Sequence, residues 1–258
     1  MLTYIILFGL LGLVLGSFVN AWLYRTHEHK SIVKGRSECP HCHKQIAWYD
    51  NIPVLSYLLL KAKCRYCHKL ISAQYPLVEA ATGILFASLW LYFRPTTEVG
   101  WYELLLWLLV TVFMAAAFVY DLRYMILPDR FMLPALSFAL IYVFFLTIKV
   151  DQVAVWRLVD AAVFAGIYFL VWLFSKGKWI GDGDIRLAAI IGLMLSLPQL
   201  LIGVFAGYLI GSAIGMYLLV SGRAKRGSVI ALGPFLIVGL YIGLFWGQQI
   251  ANWYLQLI

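Results

Sequence analysis

The chain has 258 residues, of which 63% are hydrophobic and only 12% charged. Soluble domains carry about 25% charged residues, and a core this small cannot absorb so much apolar surface. The composition therefore excludes a soluble domain and requires lipid around much of the protein.

In chain order, eight apolar segments stand out, at roughly 2–23, 76–93, 101–120, 131–148, 156–175, 185–197, 199–221 and 229–253. They predict an all-α, polytopic membrane bundle of about eight transmembrane helices, each needing about 20 apolar residues. The first has no Lys or Arg before Arg25; it lacks the basic start of a signal peptide and reads as a retained span. The segments 185–197 and 199–221 meet at Ser196-Leu197-Pro198, a turn. One broken span there would make the count seven. The only sizeable polar stretch is 24–75, so the expected organisation is a first span (1–23), a small domain (24–75) and a second membrane region (76–258).

The net charge of +8 has a topological explanation. Of the 20 Lys and Arg, seventeen fall in four connections: nine in 24–75, then Arg123 and Arg130, then Lys176, Lys178 and Arg186, then Arg223, Lys225 and Arg226. The alternate connections hold only Arg94, Lys149 and Arg157. Cytoplasmic loops carry the excess of Lys and Arg. With eight spans this puts the four basic connections in the cytoplasm and both termini outside it, in a bacterial cytoplasmic membrane. The basic charge thus calls for membrane lipid rather than nucleic acid as partner.

The 24–75 segment holds Cys39-Pro-His-Cys42 and, further on, Cys64-Arg-Tyr-Cys67, and these are the four cysteines of the chain. Two C-x-x-C pairs are the pattern of a four-thiolate zinc site, each pair chelating from a tight knuckle. Such a closed site is structural, since no coordination position is left for water. Free or redox-active thiol pairs are the other reading. His41, His43 and His68 flank the knuckles as solvated or supporting groups, because the cysteines fill the shell.

Carboxylates at the membrane edge are costly and therefore informative. Asp121 closes the third apolar segment, and Asp184 opens the sixth within Gly181-Asp-Gly183-Asp184. The charge pattern sets both on the same membrane face. Two close carboxyls share one proton, which suits hydrolysis. The ionised member takes a proton from water and the protonated member hydrogen-bonds the scissile carbonyl. Gly181 and Gly183 let the backbone of an extended substrate approach. Taken alone, Asp184 equally suits a helix cap, Asp129 after Pro128 reads as a cap, and Glu79 lies on the side of the pair. A proton-coupled transporter using the two aspartates as relays stays open on this reasoning.

The motifs taken together carry a resemblance. Gly16-Ser-Phe-Val-Asn20-Ala-Trp-Leu-Tyr-Arg25, Cys39-Pro-His-Cys42, Asn51-Ile-Pro53, Ser56-Tyr57, Lys63-Cys64-Arg-Tyr-Cys67, Tyr75-Pro76-Leu-Val-Glu79, Asp121 with Leu127-Pro128-Asp129, Gly181-Asp-Gly183-Asp184 and Gly233-Pro234-Phe235 follow in order. In this the chain resembles the type IV prepilin peptidases, aspartic proteases of the Gly-x-Gly-Asp type. The resemblance implies catalysis by Asp121 and Asp184, with Gly181, Gly183, Asp129 and Glu79 in the substrate region. It implies prepilin and pseudopilin substrates, as in type IV pilus, type II secretion and competence systems. Their basic leader would be cut after a Gly on the cytoplasmic side. It further implies N-methylation of the new N-terminus with S-adenosylmethionine as donor. Ala62 stands where the family often has Gly, and Ala231-Leu232 where it has Pro-Phe. A non-catalytic scaffold for pilin helices is the third possibility. It would bind pilins without processing them.

Overall fold

The computed structural model describes residues 1–28, 30–32, 35–150, 152–223, 225 and 230–256. Lys34 and Arg226, counted above among the cytoplasmic cations, lie outside the described residues, as does residue 229 at the start of the last apolar segment. Among the described residues the chain is helical, with α1 (Leu2–His27), α2 (Leu55–Leu59), α3 (Gln74–Phe93), α4 (Glu98–Tyr124), α5 (Asp129–Lys149), α6 (Trp156–Ser175), α7 (Asp182–Met194), α8 (Leu197–Val220) and α9 (Gly233–Leu255). Prolines mark the starts. Pro76, Pro198 and Pro234 fall in first turns, where no intrahelical N–H is needed, and Pro128 directly precedes α5.

Seven of these helices, all except α2 and α7, are long and apolar enough to cross a membrane. The expected sixth span, 185–197, is corrected, and the count is the seven that one fewer span there would give. That segment is α7, of 13 residues, and at 1.5 Å per residue it covers only about 20 Å of the ~30 Å hydrocarbon layer. Composition could not separate it from a span, because α7 is apolar for a different reason. Leu187, Ala188, Ile190, Ile191, Leu193 and Met194 are buried in protein, where α7 packs against α5 and α6.

The chain divides into two compact units, Met1–Ala116 and Ala117–Ile258. In the first, α1 packs along α3 at backbone contact. A Cβ on Gly12 would lie 2.6 Å from the Thr82 carbonyl oxygen, and one on Gly16 would lie 2.8 Å from Glu79 Cα. Small residues four apart allow such crossings between membrane helices. Buried Asn20 fastens this pair, donating to the Tyr75 carbonyl at 3.1 Å and accepting from Gln74 Nε2 at 3.2 Å.

In the second unit, α8 and α9 meet through facing glycines. A Cβ on Gly203 would lie 2.6 Å from the Gly239 carbonyl oxygen, one on Gly207 2.8 Å from that of Phe235, and one on Gly243 2.6 Å from that of Gln199. The glycines recur every four residues at 203, 207, 211 and 215 and at 239, 243 and 247. Each helix thus presents one smooth stripe to the other.

Candidate active site and metal centre

Ser37–Ile46 and Ala62–Ile71 fold as two copies of one knuckle. In the first, the Cys39 N–H donates to the Lys44 carbonyl at 3.0 Å, His43 N–H to Cys39 at 2.9 Å and Ile46 N–H to Ser37 at 2.8 Å. In the second, Cys64 donates to Lys69 at 2.9 Å, His68 to Cys64 at 2.9 Å and Ile71 to Ala62 at 2.7 Å. His43 and His68 occupy equivalent left-handed positions, φ 55 and 57°. The histidines therefore turn the knuckles, and neither is among the four converging donor residues.

The Sγ atoms of Cys39, Cys42, Cys64 and Cys67 lie within 4.8 Å of one another, with Cys39 and Cys67 at 3.9 Å. Four sulfurs about 2.3 Å from a tetrahedral ion stand roughly 3.8 Å apart, so the donor set fits a metal ion. Burial pushes the Cys39 thiol up. At Cys64 burial acts the same way but is outweighed by the N–H groups of Cys67 and Tyr66, which favour the thiolate and bring the thiol down to about 7. Arg65, inside the second knuckle, grips Asp50 with two hydrogen bonds of 2.8 and 2.7 Å. Its guanidinium holds the Asp50 carboxyl below the usual carboxylate range, and ties the knuckle to the turn at Trp48–Asn51.

Glu79, 6% exposed, accepts from the Val54 N–H at 2.7 Å and from the Ser17 hydroxyl. Val54 has φ 60°, a strained conformation for a β-branched residue. Glu79 thus anchors the Asn51–Val54 loop to α1 and α3. Beside this loop is a cavity of about 280 Å³ lined by Ser17, Phe18, Trp22, Arg25, Asn51 and Pro53, among others.

The aspartates lie in the second unit. Asp121, on the last turns of α4, is 5% exposed. It accepts from the Gly233 N–H at the start of α9 and interacts electrostatically with Asp184. Asp184 sits in the first turn of α7, where its Oδ2 accepts from the Gly181 N–H at 3.0 Å. The cap residue itself is Gly181, not Asp184 as the capping alternative had it; Asp184 supports the helix start from the third helical position.

Leu127 draws these groups together. Met125, at φ 54°, ends α4 abruptly, and Leu127 turns inward and is buried. A Cβ on Gly183 would lie 2.6 Å from Leu127 Cβ, and one on Gly233 would lie 2.5 Å from Asp121 Oδ2 and 3.3 Å from Leu127 Cδ1. The glycines admit Leu127 and the Asp121 carboxyl at these points, a reason unrelated to an extended substrate. Asp129 is the first residue of α5, with Pro128 at the cap. The capping role expected of Asp129 is thereby corrected: its carboxylate pairs with Arg186 Nη1 at 3.0 Å, which also meets Asp182 at 3.1 Å. This joins the starts of α5 and α7 beside Asp184.

Sequence reasoning missed Tyr168 of α6 and Tyr208 of α8, whose hydroxyls are 2.7 Å apart. It also missed Arg157, which donates to the Met194 carbonyl at the end of α7 at 3.0 Å. A tyrosine within an apolar run carries no signal of its partner.

Residues 10–93 match the bacterial peptidase A24 N-terminal domain, and residues 108–216 match the type IV leader peptidase family. Among known proteins, a prepilin leader peptidase/N-methyltransferase of Stutzerimonas stutzeri is 30% identical over 95% of this chain and 92% of its own length. The one of Aeromonas hydrophila is 31% identical over 98% and 94%, and that of Bacillus subtilis (strain 168) 30% over 95% and 96%. No solved structure matches the chain. Both family domains lie in order along it and relatives from distant bacteria align over nearly its whole length: the chain belongs to the prepilin leader peptidase/N-methyltransferase family.

Proposed function

We propose that the chain cleaves the leader of prepilins and pseudopilins with Asp121 and Asp184 as a proton-sharing pair, and methylates the new N-terminus. The observation that supports this is that Asp121 and Asp184, 63 positions apart in the chain, lie around the same residues, Leu127, Gly183 and Gly233, near enough to interact electrostatically. One carboxyl, ionised, takes a proton from the attacking water. The other, protonated, hydrogen-bonds the scissile carbonyl, and the tetrahedral intermediate collapses as that proton moves to the leaving amine. The Gly233 N–H on Asp121 and the Gly181 N–H on Asp184 hold each carboxyl's orientation.

The cysteine site takes zinc in this reading, as a fixed brace between the two knuckles. The methyl donor, S-adenosylmethionine, supplies an activated methyl group when bound. The cavity beside α1 offers aromatic surface for its flat base, from Phe18 and Trp22, while Arg25 in its wall donates to the Ile32 and Gly35 carbonyls at 2.6 and 2.9 Å.

Cleavage is on the cytoplasmic side in this reading. The Lys and Arg split supports that face. Although α7 is short, the bond from Arg157 to Met194 brings its end back to the level where α6 begins, so the alternation of connections is kept.

Incubating the purified full chain with a prepilin, with and without S-adenosylmethionine, and weighing the products tests the whole reading. A leaderless product, heavier by one methyl only with the donor, is expected. Unchanged prepilin in both arms would favour a scaffold or a transporter.

A further inference from the structure

The bond between Glu79 and Val54 places the start of α2 at membrane level. α3 has 20 residues, about the least that crosses the hydrocarbon layer, so its whole length is needed for the crossing. Glu79 is five residues in from Gln74, roughly 7–8 Å along the axis. Its Oε2 accepts from the Val54 N–H at 2.7 Å, and Val54 is the cap from which α2 starts. Asn51 and Pro53, just before it, line the cavity that Val14, Ser17 and Phe18 of α1 also line. Phe18 and, in the first turn of α3, Leu77 are themselves exposed, and on spanning helices such surface is met by lipid.

The face that α2 turns outward is of the same kind. Leu55, Leu58 and Leu59 stand at i, i+3 and i+4, on one side of the helix, and are 48, 65 and 73% exposed. Trp48, in the turn packed against α2, is 80% exposed, and Ile52 between them is exposed as well. Exposed Leu70 pairs across to Lys63, just past the end of α2. So much apolar surface on a polar module marks an interface. Its rim carries the exposed side chains of Lys61, Lys63 and Lys69. Trp and Leu beside Lys is the composition of an element lying in the lipid–water boundary, and α2, with five residues, is far too short to span.

We propose that Trp48–Leu59 is an interfacial element seated in the leaflet that α1 leaves at its C-terminal end. Trp48, Leu55, Leu58 and Leu59 lie among acyl chains, and Lys61, Lys63 and Lys69 meet anionic headgroups. The Glu79–Val54 bond sets its depth. Through Arg65, which grips Asp50, the element holds the second cysteine knuckle on the membrane surface.

The test uses the full chain in nanodiscs, one chain per disc and without prepilin. A nitroxide is attached through an unnatural keto amino acid, which spares the cysteines, at Leu58, at Leu59, or at exposed Leu7 of α1 as the lipid reference. Each labelled chain must keep the wild-type melting temperature. Collisions with oxygen, which concentrates in lipid, relative to those with a water-soluble nickel chelate should match the Leu7 reference at both positions. Phosphatidylglycerol in the disc should raise the ratio further, and Lys61→Glu with Lys69→Glu should cancel that rise. As a label-free measure, lipids brominated on their acyl chains should quench a smaller fraction of the fluorescence in Trp48→Phe than in the wild type. A ratio typical of a water-exposed helix at Leu58 and Leu59 would overturn the proposal; if prepilin then excluded the chelate, the face would belong to the substrate. A ratio that turns lipid-like only with two chains per disc would assign the face to a second copy and overturn it as well. A lipid-like ratio indifferent to phosphatidylglycerol would overturn the headgroup contacts.

Discussion

Gly233 shows how little room a single atom has at this site. A Cβ there would lie 2.5 Å from Asp121 Oδ2, so Gly233→Ala must push the carboxyl aside or lose its N–H bond. Misplacement of a reacting group by about 1 Å costs on the order of 100-fold in rate, and a loss of that size in prepilin cleavage is expected. Gly183→Ala meets Leu127 Cβ at 2.6 Å and should fall in the same range; a rate assay on membranes containing equal amounts of protein checks both. The two aspartates were legible in the sequence because a carboxylate beside an apolar run needs a reason. The glycines were legible only as motif members. Their cause is a leucine six positions from Asp121 and residues far along the chain, and a one-dimensional pattern does not display that. Asp129 was misjudged because Pro128-Asp129 is a common cap pattern, while the competing partner, Arg186, sits on another helix.

At the level of elements, the two knuckles and the α8–α9 pair carry separate predictions. Cys64→Ser removes one of four converging sulfurs. It should lower bound zinc from about one per chain to well below that, since each missing thiolate opens the tetrahedron. Metal analysis of the purified protein reads the result, and full zinc occupancy in the variant would exclude Cys64 as a ligand. Gly203→Val places branched carbon against the Gly239 backbone. Overpacking of this kind costs about 1–3 kcal/mol, to be seen as a lower melting temperature in detergent. The C-x-x-C pairs were plain in the sequence because their spacing is the one that lets each pair chelate one ion. The repeat of whole knuckles and the four-residue glycine stripes were present too, but a stripe shows its purpose only when its partner helix is known. The segment of α7 was short in the sequence too, and it was taken for a span because hydropathy reports burial, whether in lipid or in protein.

For the molecule as a whole, composition settled the class and the distribution of Lys and Arg suggested a face for the chemistry. The pairing of helices was not legible, because apolar faces in lipid are nearly equivalent and backbone approach at glycines decides among them. The central claim is that Asp121 and Asp184 act as one unit. The most direct measurement is the mass of prepilin products after incubation with Asp121→Asn, Asp184→Asn and the double variant, each shown to be inserted and to hold its zinc. Each single change should lower cleavage by about 10³-fold or more, the double change should add little further loss, and a pre-cleaved pilin should still be methylated. Normal cleavage by either single variant would contradict that claim.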